Sequence, residues 1–185
     1  MNVNAYNLNQ GQKEAADAFF EFLFDYEAKG FIISGPAGVG KTYWMGYIID
    51  IIMPRYLETC KLIGVDPDYD SVTMTATTNK AAEVLEFVTG RTTQTIHSFL
   101  NLTLYEDYES GKTKLNKNPR TWTVHEQKII FIDECSMIDS QLFNIIGEGT
   151  HQCKIVYVGD RNQLAPVTEK LSPVYLQGYQ MFELT

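Results

Sequence analysis

Apolar residues follow two alternating periods along the chain. Over residues 9 to 28, Ala15, Ala18, Phe19, Phe22, Leu23 and Tyr26 fall three or four apart, which predicts an amphipathic helix with Asn9 as N-cap and Gly30 as its end. Phe31-Ile32-Ile33-Ser34 then reads as a buried strand. From Tyr43 to Met53 the helical spacing returns at Trp44, Tyr47, Ile48, Ile51 and Ile52, and Pro54 is expected to stop it. Residues 54–70 mix Pro, Asp, Tyr and Gly and read as a connecting excursion. Ser71 to Ala76 predicts a strand, Thr77-Thr78-Asn79 a turn, and Lys80 to about Thr89 a helix with Ala81, Ala82, Val84, Leu85 and Val88 inward. Ile129 to Ile132 and Lys154 to Val158 are continuous apolar runs suited to a sheet centre, with a helix around Gln141 to Ile146 between them. Met181 to Thr185 reads as the start of one more strand. Repeated strand, turn and helix units predict an α/β fold, a parallel sheet with helices on its faces and ligands beyond the carboxyl ends of its strands.

One segment breaks this rhythm. Arg91 to Leu102 is a hydroxyl-rich approach to a short helix, and Thr103 to Gln127 alternates polar and apolar residues on either side of a Ser110-Gly111 turn. The expected organisation is a single domain, 1–102 and 128–185, interrupted by a hairpin over 103–127. With 185 residues, 44% of them hydrophobic, the chain can bury one core. No apolar run approaches a membrane span and Met1-Asn2-Val3-Asn4 lacks an export signal, so a cytoplasmic protein free of membrane is expected. Cys60, Cys135 and Cys153 form no CxxC pair and read as free thiols of a reducing compartment. A net charge of −8 argues against binding nucleic acid through bulk charge. It leaves room for a local track at Lys112, Lys114, Lys117 and Arg120, which is equally readable as a solvated loop face.

The chemistry concentrates in Gly35-Pro36-Ala37-Gly38-Val39-Gly40-Lys41-Thr42, a GxxxxGKT loop between a strand and a helix. Its glycines let successive N–H groups point inward, and the helix start adds positive potential, so the loop suits the phosphates of ATP. Lys41 is expected to reach the β- and γ-phosphates and the Thr42 hydroxyl to hold Mg²⁺. Asp133-Glu134 at the tip of an apolar strand supplies the facing carboxylates. Asp133 is expected to hold Mg²⁺, while Glu134, turned elsewhere because strand side chains alternate, deprotonates the attacking water. Gln163, a few residues past another buried strand, is placed to sense the γ-phosphate or is an ordinary turn residue. Thr77, Thr95 and His97 sit at strand ends as donors for a nucleic-acid backbone or as caps. Spacing alone makes Gln12 an exposed first-turn residue.

Taken together, the motifs resemble the first motor domain of superfamily 1 DNA helicases, in particular the 5′-to-3′ group of Dda-like and RecD-like enzymes. Leu8-Asn9-Gln10-Gly11-Gln12 is similar to the Q motif, which implies that Gln12 recognises adenine. Gly35 to Thr42 resembles motif I, with Tyr43 adjoining the nucleotide, and Asp133-Glu134-Cys135-Ser136-Met137 resembles motif II. Thr75 to Ala82 resembles motif Ia and Thr95 to Ser98 the next strand-binding motif, implying single-stranded DNA contacts at Thr77, Asn79, Lys80, Thr95 and His97, with Phe99 as a base-stacking aromatic. Gly159 to Val167 is similar to motif III. The resemblance implies a RecA-like P-loop NTPase fold, with residues 103–127 in the position of the projecting subdomain 1B. Family members continue into a second RecA-like domain whose arginines reach the γ-phosphate, so this chain is expected to be a monomeric piece of a longer helicase, nearly inactive alone. Two rivals stay open: an accessory module using ATP as a conformational ligand, and a P-loop small-molecule kinase.

Overall fold

The computed structural model describes residues 6–107, 112–163, 165–166 and 169–185. Asn9 and Gln12 form a reciprocal capping box that starts α1 (Gln10–Phe22). The helix stops short of the predicted residue 28 because the Asp25 carboxylate accepts from the N–H groups of Glu27 and Ala28, a local turn that competes with further helix. Tyr26 therefore leaves the apolar face and is 80% exposed, and Gly30 opens β1 (Gly30–Ser34) instead of ending a helix. After the glycine loop come α2 (Lys41–Tyr47), a π-helical turn (Ile48–Ile52) and α3 (Met53–Ile63). Pro54 does not end the helix. The wide π turn resets the hydrogen bonding so that Pro54 falls in the first turn of α3, where a missing N–H is tolerated, and Gly64 closes α3 in a left-handed conformation.

β2 (Ser71–Ala76) leads through the Thr78 cap into α4 (Asn79–Thr89), then β3 (Thr93–Thr95), a short strand the residue pattern did not announce, and α5 (Ile96–Phe99). α4 buries Ala81, Ala82 and Leu85, but Val84 and Val88 face outward beside Phe87, contrary to the predicted inward face. The helix packs over β2 and β3 at the sheet's rim, so only a narrow stripe finds partners. β4 (Leu102–Asp107) pairs antiparallel with β5 (Lys112–Lys117), and the predicted Ser110-Gly111 turn lies outside the described residues. There follow β6 (His125–Glu126), β7 (Lys128–Asp133), a 3-10 turn at Cys135–Met137, α6 (Ser140–Glu148) capped by Asp139, β8 (Thr150–His151), β9 (Lys154–Gly159), a second 3-10 turn at Pro173–Leu176 and β10 (Gln180–Glu183).

Six strands form one parallel sheet in the order β10-β1-β9-β7-β2-β3. Its apolar runs divide by alternation. Phe31, Ile33, Ile129, Phe131, Val156 and Val158 pack with α1 to α4, while Ile32, Ile130, Ile132, Ile155 and Tyr157 pack with α5 and α6 on the other side. This is the RecA-like arrangement of a parallel sheet between two helical layers. The three cysteines are free and buried. Among the described residues no helix is long and apolar enough to cross a membrane.

The start of β9 places Lys154, 1% exposed, under the α1–β1 connection. Its ammonium donates to the carbonyls of Asp25 and Ala28 and sits 4.4 Å from the centre of the Phe22 ring. Burial pushes it down to about 8, with Asp25 and Asp68 opposing the shift. Between that value and the ordinary lysine range the unfolded chain holds a proton that the folded chain has released, so stability is expected to rise with pH across the window and level off above it. Urea unfolding midpoints measured across pH 7.5–10.5 should show this rise in the wild type and a flatter profile in Lys154→Met; parallel profiles would refute it.

Candidate nucleotide-binding site

The carboxyl ends of β1, β9, β7 and β2 lie side by side, in register Ser34 with Gly159 and Ala76 with Asp133. The Gly35 N–H donates to the Gly159 carbonyl at 3.1 Å, fastening the start of the glycine loop to the end of β9. Two of the loop's glycines are fixed, Gly35 by the backbone packed against it and Gly40 by its left-handed conformation. A Cβ at Gly35 would stand 2.6 Å from the Leu184 carbonyl oxygen, and one at Gly40, where φ is +85°, would meet Gln12 Nε2 at 2.6 Å. Pro36, Ala37 and Gly38 are exposed at the loop's crest and Val39 is half-buried beneath it.

Ala37, Gly38, Gly40, Lys41, Thr42, Tyr43, Asp133, Glu134, Asp160 and Gln163 line one cleft of about 450 Å³. Lys41 opens α2, and its ammonium donates to the carbonyls of Gly35 at 2.6 Å and Pro36 at 2.9 Å. Asp133 ends β7; its Oδ1 accepts from the Glu134 N–H at 2.9 Å. Burial raises its pKa above the ordinary carboxylate range, opposed by that bond and by Lys41. A half-buried carboxylate sharing a cleft with a threonine hydroxyl and a lysine is a donor set that fits Mg²⁺ on a phosphate, because a cation would recover what desolvation costs Asp133. Glu134 is turned aside by its own backbone, φ +55° and ψ +40°, not by strand alternation. That left-handed conformation costs a non-glycine residue about 1–3 kcal/mol. It is held by a bond from Thr77 Oγ1 to the Glu134 carbonyl at 3.3 Å and one from Thr78 Oγ1 to its Oε2 at 3.3 Å.

Gln12 is not the exposed first-turn residue that spacing suggests. It is buried, its Oε1 accepts from Asn9 N at 3.0 Å, and its Nε2 donates to the Val39 carbonyl at 3.1 Å, joining α1 to the glycine loop. Tyr43 is part-exposed, its hydroxyl accepting from Asn7 N at 2.7 Å and its ring 5.0 Å from Tyr6.

The residues expected to meet DNA divide into three kinds. Asn79 and Lys80 are exposed at the start of α4. Thr95 caps α5, its hydroxyl accepting from Ser98 N at 3.0 Å, and His97 is half-buried, which lowers its pKa. Thr77 is buried and committed to Glu134, so it offers no hydroxyl to a strand. Phe99 needs the clearest correction. It is buried, and His125 stacks on it with ring centres 3.9 Å apart while bonding its carbonyl at 2.9 Å, so that face is closed to a base. In the third motif Leu164 and Val167 lie outside the described residues. Thr78 and Asp160 escaped the sequence reading; a threonine between a strand and a helical pattern carried a cap signal, whereas nothing local marked its contact with Glu134.

A family model described as an AAA domain matches residues 22–169. The chain is 27% identical over 175 residues to the ATP-dependent DNA helicase dda of Enterobacteria phage T4, covering 94% of this chain and 36% of that protein. It is 29% identical over 157 residues to the ATP-dependent DNA helicase PIF1 of Emericella nidulans, covering 77% and 19%. Among solved structures it resembles Bacteroides sp Pif1 in complex with ADP-AlF4, with a TM-score of 0.62 and 19% identity over 98% of this chain and 42% of that one, a likeness of fold. The chain thus spans about a third of the phage helicase's length.

Proposed function

We propose that this chain, which belongs to the AAA-domain family, is a motor domain of the superfamily 1 Pif1/Dda type that binds ATP with Mg²⁺ and single-stranded DNA and supplies the hydrolytic half of a helicase motor. The observation that carries the reading is the shared cleft of Lys41, Thr42, Asp133, Glu134 and Gln163.

In this mechanism the loop N–H groups and the start of α2 bind the phosphates, and Lys41 exchanges its carbonyl partners for phosphate oxygens. Thr42 and Asp133 would hold Mg²⁺, which when bound neutralises charge on the phosphates. Glu134 accepts the proton of the attacking water, and Gln163 contacts the γ-phosphate from the third side. Gln12 keeps one Nε2 hydrogen and one Oε1 lone pair for adenine while its other bonds brace the loop. Strand contacts come from Asn79, Lys80, Thr95 and His97, and residues 103–127 act as the projecting 1B element inserted between the two parts of the ATP-binding domain. Its cation Lys117 already pairs with Glu148 and lies 5.0 Å from the Trp122 ring centre, leaving exposed Arg120 as the more accessible charge. Glu134 distinguishes this reading from a nucleotide-binding accessory module, which needs no base.

The γ-phosphate-stabilising arginines of a second motor domain would raise the rate by about 10³- to 10⁵-fold. The purified chain is therefore expected to release phosphate only slowly, and the same chain joined to a Dda-type second domain to gain turnover stimulated by oligothymidylate. Turnover that stays inert in the joined protein, or is already rapid in the isolated chain, would sink the reading.

A further inference from the structure

The edge of the sheet opposite the nucleotide cleft carries a second cavity, of about 500 Å³, a size that holds small molecules. Lys29, Gln127, Cys153 and Tyr179 stand immediately before β1, β7, β9 and β10, so the amino ends of four neighbouring strands form part of its wall. Tyr69, Tyr157 and, from α6, Gly147 join them.

Three of these residues are tyrosines whose hydroxyls are unused. Tyr157 is 2% exposed, Tyr69 6% and Tyr179 half-buried, yet among the described residues none bonds their hydroxyls. Buried phenols ordinarily find a partner. Among the described residues the Ser136 hydroxyl alone is both unpartnered and sealed from solvent, so the tyrosine hydroxyls stay reachable, and the cavity is the space they share. Burial pushes Tyr69 up to about 12 and raises the other two, which keeps all three as donors. Backbone conformation sets the same place apart. Four non-glycine residues among those described have positive φ; one is Glu134, and two, Gln127 at +53° and Gln152 at +50°, line this cavity. Such conformations persist only where the surrounding structure holds them, and they gather at binding sites.

We propose that this cavity binds an uncharged heteroaromatic molecule of nucleoside size. Phenols and primary amides both donate and accept, which matches the mixed donors and acceptors along the edge of a base, and the aromatic wall suits its ring. Lys29 is offset in the lining by Asp68, so the cavity offers no net positive charge to a phosphate. The inference stands apart from the nucleotide cleft, which lies at the other ends of the same strands. A free nucleoside and a base of a nucleic-acid strand share this chemistry, and the test separates them.

The 185-residue chain is titrated with guanosine, cytidine and thymidine, and binding is read by saturation-transfer difference NMR on the base protons; adenosine is left out because the nucleotide cleft would take it too. One of the three should bind with a dissociation constant of about 0.1–1 mM. Gly147→Phe fills the cavity from α6, where an added Cβ meets nothing within 4 Å, and should abolish the signal. Tyr157→Phe removes a hydroxyl that no described residue bonds, so the fold should be kept and binding weakened about 3- to 10-fold. Thermal unfolding checks both variants, and Tyr157→Phe decides alone if Gly147→Phe does not fold. Silence from all three nucleosides overturns the proposal, as does a signal unchanged in either folded variant. With the site established in this way, displacement of the nucleoside by a mixed-sequence 12-nucleotide strand identifies a strand base as the occupant, and no displacement identifies a free molecule.

Discussion

Glutamine in place of Glu134 is expected to leave affinity for ATP with Mg²⁺ within about twofold of the wild type and to slow hydrolysis by about 10²- to 10⁴-fold, the usual contribution of a positioned general base. The substitution is nearly isosteric and still accepts from Thr78, so the left-handed backbone at residue 134 and its support from Thr77 persist. What disappears is the capacity to take a proton from water. Equilibrium dialysis with labelled ATP would give the affinity, and enzyme-excess phosphate release the rate. An unchanged rate would move the base elsewhere; a parallel collapse of affinity would mean that Glu134 serves binding and not chemistry.

Alanine at Lys41 should have the opposite signature, a loss of ATP affinity of about 30- to 150-fold, corresponding to about 2–3 kcal/mol for charge-assisted bonds to phosphate. The fold should tolerate the change, because among the described residues the ammonium donates to two carbonyls of the loop itself, those of Gly35 and Pro36. Titration of a fluorescent ATP analogue, with thermal unfolding alongside, separates the two effects. Wild-type affinity in Lys41→Ala would remove the lysine from the phosphate site, and a large drop in melting temperature would make it a structural brace.

Much of this site was legible before any coordinates. The glycine loop and the Asp133-Glu134 pair are local signals, each following an apolar run that can only be a sheet strand, and parallel strands necessarily bring their carboxyl ends to one edge. Features set by distant partners were not legible. Gln12 is buried because Val39, far along the chain, accepts its amide hydrogen, and Phe99 is covered because His125 folds back over it. Pro54 is a strong local stop that the π turn overrides, and the outward face of α4 reflects its place at the sheet's rim, which periodicity does not encode. Thr77 looked like a strand-end donor and proved to be a buried prop for Glu134 for the same reason: its partner is 57 residues away.

The position of β1 bears on how this protein comes into being. Its five residues are complete at position 34, yet both neighbours against which it zips, β9 and β10, belong to residues 154–183. A chain leaving the ribosome must therefore carry an apolar strand with both edges bare until the last sixth of these residues has emerged, and closing so large a loop is slow. The phosphate cradle, anchored on Gly159 and Leu184, is among the last parts of this sheet to take shape, so a cradle able to capture nucleotide would double as a report that the sheet is assembled.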